Sequence, residues 1–162
     1  MIFITLGSQK FQFDRLLKTA DELAAAGKMK DSVFAQTGYS NYKPKYFAYK
    51  NFLNHDEFTD AIEKSNVVIT HGGTGTIIKA IKMGKKVIAV PRLSVYGEHV
   101  DDHQIQLISQ FEESNLILAC RDCRELAQAL EKVKKTNFQC YKSNTEVLIK
   151  NIEKFIFNEN EW

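Results

Sequence analysis

Apolar residues along this chain come in two rhythms. Short apolar runs at Ile2–Leu6, Val33–Gln36, Val67–Thr70, Val87–Val90 and Leu116–Leu118 predict strands, the first of them buried, and Phe47–Phe52 offers another. Between them the apolar positions recur every three or four residues: Leu16, Leu17, Ala20, Leu23 and Ala24, then Phe58, Ala61 and Ile62, then Ile105, Ile108 and Phe111. That spacing predicts helices at about Asp14–Ala26, His55–Lys64, Ile77–Met83, Asp101–Glu113 and Asp122–Lys134. Asp14 suits the N-cap of the first, and Gly27 and Gly84 mark stops. Strands alternating with helices imply an α/β fold, a single parallel sheet with helices on both faces and right-handed crossovers. A polar break near Lys135–Asn137 separates this sheet domain, residues 1–140, from an amphipathic helix within 141–162. The stripe of that helix, Val147, Leu148, Ile152, Phe155 and Ile156, either closes the domain's own core or crosses onto a partner.

Composition narrows the classes without choosing among them. With 162 residues, 44% of them hydrophobic and 26% charged, the chain suits one globular domain. A net charge of +2, with basic residues spread along the sequence, argues against a nucleic-acid binder. The opening Met1–Gly7 lacks a basic region and a cleavage site and reads as a strand, not a signal peptide. Cys120-Arg121-Asp122-Cys123 has redox-motif spacing but sits late in the chain, and no second ligand pair follows to complete a zinc site. Reduced thiols and no metal are therefore expected.

Candidate chemistry gathers in three loops. His71-Gly72-Gly73-Thr74-Gly75-Thr76 lies between a strand and a helix, where backbone amides at the helix start have no partner. Such a terminus carries a partial positive charge and suits an anion, and glycines let a ligand approach the main chain. The pattern reads as a diphosphate cradle. A second glycine turn, Leu6-Gly7-Ser8-Gln9, follows the first strand, and the segment Gly97–Gln104 follows the fifth. In parallel sheets ligands bind beyond the carboxyl ends of the strands, so all three loops fall on one rim. His103 and Gln104 offer neutral donors and acceptors suited to sugar hydroxyls or phosphate oxygens. Asp101 and Asp102 fit either helix capping or the site.

These residues carry a resemblance. The His71–Thr76 turn, the strand ending in Pro91, the Asp102-His103-Gln104 run and the Leu6–Gln9 turn together resemble the nucleotide-sugar half of glycosyltransferase family 28, over nearly the whole chain. The resemblance implies a Rossmann-like sheet, the C-terminal half of a two-domain (GT-B) glycosyltransferase. It is nearest to the soluble subunits of split enzymes, as in the eukaryotic dolichol pathway and in bacterial capsule or exopolysaccharide assembly. It places Gly73, Thr74, Gly75 and Thr76 around a UDP diphosphate, His103 and Gln104 near the diphosphate and donor sugar, and Gly7 and Ser8 on the cleft. Glu98 is a further candidate for a sugar hydroxyl.

The family inverts the anomeric centre without a metal or other cofactor at the donor, UDP-sugar being a co-substrate. The general base is expected from the other half, with His71 the nearest candidate within this chain. The implied partner is a membrane-anchored acceptor-binding subunit at the cytoplasmic membrane face, acting on a lipid-linked saccharide; an unpartnered chain could self-associate. One position departs from the pattern. Lys79 stands where the peptidoglycan enzyme of the family has a ribose-binding glutamate, so either another residue takes the ribose or Lys79 contacts phosphate. This keeps open a non-catalytic nucleotide-sugar-binding module. A dinucleotide-binding oxidoreductase is disfavoured, because the first turn lacks the three-glycine fingerprint.

Overall fold

Six short parallel strands form the centre of the protein. The computed structural model describes residues 1–142. In chain order it contains β1 (Ile2–Thr5), α1 (Asp14–Ala25), β2 (Val33–Gln36), β3 (Ala48–Lys50), α2 (His55–Lys64), β4 (Val67–Thr70) and α3 (Thr74–Lys82), followed by β5 (Lys86–Ala89), α4 (His103–Glu113), β6 (Leu118–Ala119) and α5 (Leu126–Lys135). The strand order is β3-β2-β1-β4-β5-β6, all parallel. The chain leaves β1 toward one edge, returns beside β1 as β4, and proceeds to the other edge. The β1–β4 seam is thus the point where the winding reverses, and loops diverge there to leave a crevice.

Alternation along the strands divides the core between two layers. Ile2, Ile4, Val67, Ile69 and Ile88 pack with Leu16, Leu17, Leu126, Leu130 and Val133, so α1 and α5 cover one face. Phe3, Val68, Val87 and Ala89 pack with Ile62, Ile77, Ala80 and Ile108, so α2, α3 and α4 cover the other. The predicted parallel sheet with helices on both faces is the observed fold.

Boundaries differ where side chains have better uses than the helix. Phe13, not Asp14, is the N-cap of α1 and supplies no side-chain bond. Asp14 Oδ1 instead accepts the amides of Asn41 and Tyr42, at 2.8 and 3.1 Å, anchoring the loop after β2. The buried Asp21 holds the same loop by accepting from the Lys45 and Tyr46 amides and the Tyr42 hydroxyl. α4 begins at His103, two residues after the expected start. Asp102 turns back to accept from the Ser94 amide at 2.8 Å, and Asp101 accepts from the His103 amide at 3.2 Å. By contrast α2 starts where expected, closed by a reciprocal capping box between Asn54 and Glu57.

The three cysteines are free thiols, two of them buried. Burial pushes Cys120 up to about 12 and, against the opposing charge of Arg15, Cys123 up to about 11, so neither is a reactive thiolate at neutral pH. No helix among the described residues is long and apolar enough to cross a membrane. The predicted terminal helix lies outside the described residues.

Candidate functional site

Three loops meet at the carboxyl end of the β1–β4 seam. Four cross-braces, each joining residues far apart in sequence, hold them together. Gln104 Oε1 accepts from both the Gly72 amide and the Arg92 amide, each at 3.1 Å, tying the loop after β4 to the loop after β5. The Arg92 guanidinium donates through Nη2 to the Leu6 carbonyl, tying the loop after β5 to that after β1. Gln12 Nε2 reaches the Tyr96 carbonyl at 2.9 Å. Arg15 grips both oxygens of Glu98, at 3.0 and 2.9 Å, and the Pro91 carbonyl at 3.1 Å.

His71 fills the space between two glycines. A Cβ on Gly7 would lie 2.5 Å from His71 Cε1, and one on Gly73 would lie 2.4 Å from Nε2. Only residues without a Cβ leave room for the imidazole at both points, and Gly7 also adopts a left-handed φ of +73°. The ring is buried, with Nδ1 3.4 Å from Thr70 Oγ1. Burial first, then the charge of Arg92, pulls its pKa down from 6.5 to about 4. His71 is therefore a neutral wedge that spaces the turns and a weak base, not a group presented to an acceptor hydroxyl.

This makes stability pH-dependent with a definite sign. The folded pKa lies below the unfolded one, so the unfolded chain takes up the proton first. The contribution is whole above about pH 6.5 and is lost as pH falls toward 4. Between pH 7.5 and 5.0, about 2 kcal/mol should disappear. Urea unfolding of wild type and His71→Gln across that range checks it: the variant should lack this part of the slope, and parallel curves would refute the assignment.

Beside this wedge α3 opens with an unsealed N-terminus. Its N-cap, Gly73, has extended backbone and no side-chain bond, and no acidic residue occupies the first turn. The first intrahelical bond runs from the Ile77 amide to the Gly73 carbonyl, leaving the Thr74, Gly75 and Thr76 amides without a partner among the described residues. Thr74 and Gly75 are exposed and Thr76 is half-buried, and a Cβ on Gly75 would meet nothing within 4 Å. Open amides at a positive helix end, next to open space, are what an anion needs.

The other sequence candidates divide. Ser8 is exposed on the first turn beside Gly7. His103 is exposed at the start of α4, its Nδ1 paired with the Asp101 carboxylate and its ring packed edge-on against His99. Gln104 is buried, and its oxygen is spent on the brace; its amide nitrogen has no acceptor among the described residues. Glu98 requires correction. It is fully buried, with its oxygens taken by Arg15 and the Leu93 amide, so it faces inward and cannot meet a sugar hydroxyl. Lys79 turns to α2, donating to Thr59 Oγ1 at 2.6 Å over the Phe58 ring, and so does not point at a phosphate.

Reading the sequence alone missed Arg15 and Arg92. An arginine directly after the strand-ending Pro91, and another beside Leu16 on the buried side of α1, were the signals available. His99, Asp101 and His103 bring metal-ligand atoms within 4.8 Å of one another. Their mutual bonds already organise the start of α4.

Known proteins resemble this chain in sequence or in fold. The UDP-N-acetylglucosamine transferase subunit ALG13 of Kluyveromyces lactis is 34% identical over 82 residues, which is 47% of this chain and 40% of that protein. The chain thus spans less than half the length of this curated relative. Among solved structures, the glycotransferase of kitacinnamycin superposes with a TM-score of 0.60 at 16% identity, covering 83% of this chain and 35% of that one. MurG of Acinetobacter baumannii gives 0.55 at 17% identity, covering 82% and 40%. At such identities the likeness is one of fold, and it falls on about one domain's worth of each larger protein. The model of the glycosyltransferase family 28 C-terminal domain matches residues 1–157, the turns and braces of the rim included, and the chain belongs to that family.

Proposed function

We propose that the chain is the donor-binding subunit of an inverting, metal-independent glycosyltransferase that moves a sugar from UDP-sugar to a polyprenyl-diphosphate-linked saccharide in capsule or exopolysaccharide synthesis. The observation that carries this is the unsealed start of α3 at the point where the sheet reverses, in a chain of this family. The UDP leaving group gathers negative charge as the glycosidic bond breaks. Amides of Gly75 and Thr76 and the Thr76 hydroxyl would receive it, one such donor being worth ~2.7–4 kcal/mol in a transition state. His103, and Gln104 through its amide nitrogen, would contact the diphosphate or sugar. Gly7 and Ser8 would border the donor from the first turn.

The attacking hydroxyl needs a base, and a membrane-anchored acceptor-binding subunit would supply it, holding this chain at the inner membrane face. The similar ALG13 is described as a subunit, which supports a split arrangement. The position of Lys79 favours a second reading, a nucleotide-sugar-binding regulator of such a partner, since the expected ribose carboxylate is missing.

Titration with UDP and NAD, then transfer assays with the partner, separate the readings. UDP should bind and NAD should not. Thr76→Val should lower transfer by about 10²-fold, and chelation by EDTA should leave it unchanged. UDP binding without transfer in the reconstituted pair would select the regulator, and no UDP binding would refute both.

A further inference from the structure

Arg92 is the largest fully buried side chain among the described residues, only 1% exposed, yet two of its three guanidinium nitrogens have no acceptor among them. Buried polar groups in folded proteins are almost always hydrogen-bonded, so two unpaired donors on one side chain call for an explanation. Its charge is also unbalanced. Glu98, the carboxylate near enough to influence it, is gripped by Arg15 through both oxygens and makes no hydrogen bond to Arg92. The adjacent His71 is neutral. Among the described residues, two guanidiniums against one carboxylate leave one positive charge inside the rim. Burial lowers the Arg92 pKa to about 10, which still leaves it protonated at neutral pH.

The location gives this excess a direction. Arg92 shares the Gln104 oxygen with Gly72 through its backbone amide, donates to Leu6 immediately before Gly7 through its side chain, and acts electrostatically on His71, which touches Gly73 at the start of α3. It therefore ties together all three loops that border the open amides, and in low dielectric its field is little screened there. We propose that Arg92 is a positioning residue for the donor, the buried counter-charge of the diphosphate that docks on α3. The proposal rests on the nucleotide-sugar reading of the rim. Arg92 acts through the loops and the field, not by touching the nucleoside, so its effect scales with ligand charge.

Calorimetric titration of the full chain with UDP, pyrophosphate and uridine tests this, using wild type, Arg92→Met and Arg92→Lys. The methionine variant should bind UDP and pyrophosphate at least tenfold more weakly while uridine affinity changes less than twofold. The lysine variant, keeping the charge, should recover most of the UDP affinity. Should the methionine variant fail to fold, the Nε–H resonance of Arg92 in wild type replaces it, expected to shift with UDP and pyrophosphate and not with uridine.

Equal loss for UDP and uridine, unchanged UDP affinity in the methionine variant, or a stationary resonance would overturn the role of Arg92. Wild type binding UDP in that case leaves the nucleotide reading standing. Pyrophosphate binding that needs Arg92, without any preference for UDP, would instead support the counter-charge and refute the nucleotide reading. A wild type that binds none of the three refutes both.

Discussion

Replacing Glu98 with alanine should destabilise the fold by about 3–5 kcal/mol, the cost typical of removing one partner of a buried ion pair. Three groups lose their acceptor or counter-charge at once. Arg15 is deprived of its two-pronged partner, the Leu93 amide is left unpaired, and Arg92 loses the carboxylate it feels. The Arg15 side chain is 21% exposed and can swing partly into water, which holds the cost toward the lower figure. Glu98→Gln keeps an acceptor for Leu93 without the charge and should fall between. Removing Arg15 as well, in Glu98→Ala/Arg15→Met, should cost less than the sum of the single changes, because the stranded cation is gone. Urea midpoints of wild type, Glu98→Ala, Glu98→Gln, Arg15→Met and the double variant decide it. A Glu98→Ala variant within about 1 kcal/mol of wild type would mean that this carboxylate faces the cleft after all.

The second large effect concerns space, not charge. Gly7→Ala should cost about 2–4 kcal/mol: roughly 1–2 for a left-handed backbone that disfavours a Cβ, the rest for driving a methyl into the His71 ring. Gly73→Ala meets the same ring from the other side, but its φ of −75° carries no such backbone penalty. Combining each with His71→Ala separates the two terms. The Gly73 double variant should return nearly to the stability of His71→Ala alone, whereas the Gly7 double variant should remain about 1–2 kcal/mol below it. If neither alanine interacts with position 71, the wedge is misassigned.

These outcomes bear on function because the wedge sets the spacing of the turns that border the α3 amides. A turn displaced by even a fraction of an ångström moves the donors relative to the phosphates they would hold. Under the proposed function, transfer by the reconstituted pair should therefore fall in Gly73→Ala even at a temperature where the variant is fully folded.

Much of the architecture was written locally. The alternation of apolar runs with helical spacing specified a parallel sheet with two helical layers. The glycine turn after β4 and the open helix start behind it could be located from Val67–Thr76 alone, because short-range sterics and the helix's own geometry dictate both. Family membership was legible for the same reason, the motif residues being contiguous in each loop.

What each polar side chain does was decided only when the loops closed on one another. Glu98 read as a ligand candidate because it lies in the rim segment Gly97–Gln104; its neighbours in space, Arg15 and Leu93, make it an internal anchor. Gln104 became a brace only when Gly72 and Arg92 converged on one oxygen, and Lys79 met Thr59 only once α2 lay against α3. Arg92 stood out through donors that are unmatched among the described residues. Backbone form follows from residues a few positions apart, but a buried charge takes its meaning from groups up to 86 positions distant, and only packing brings those together.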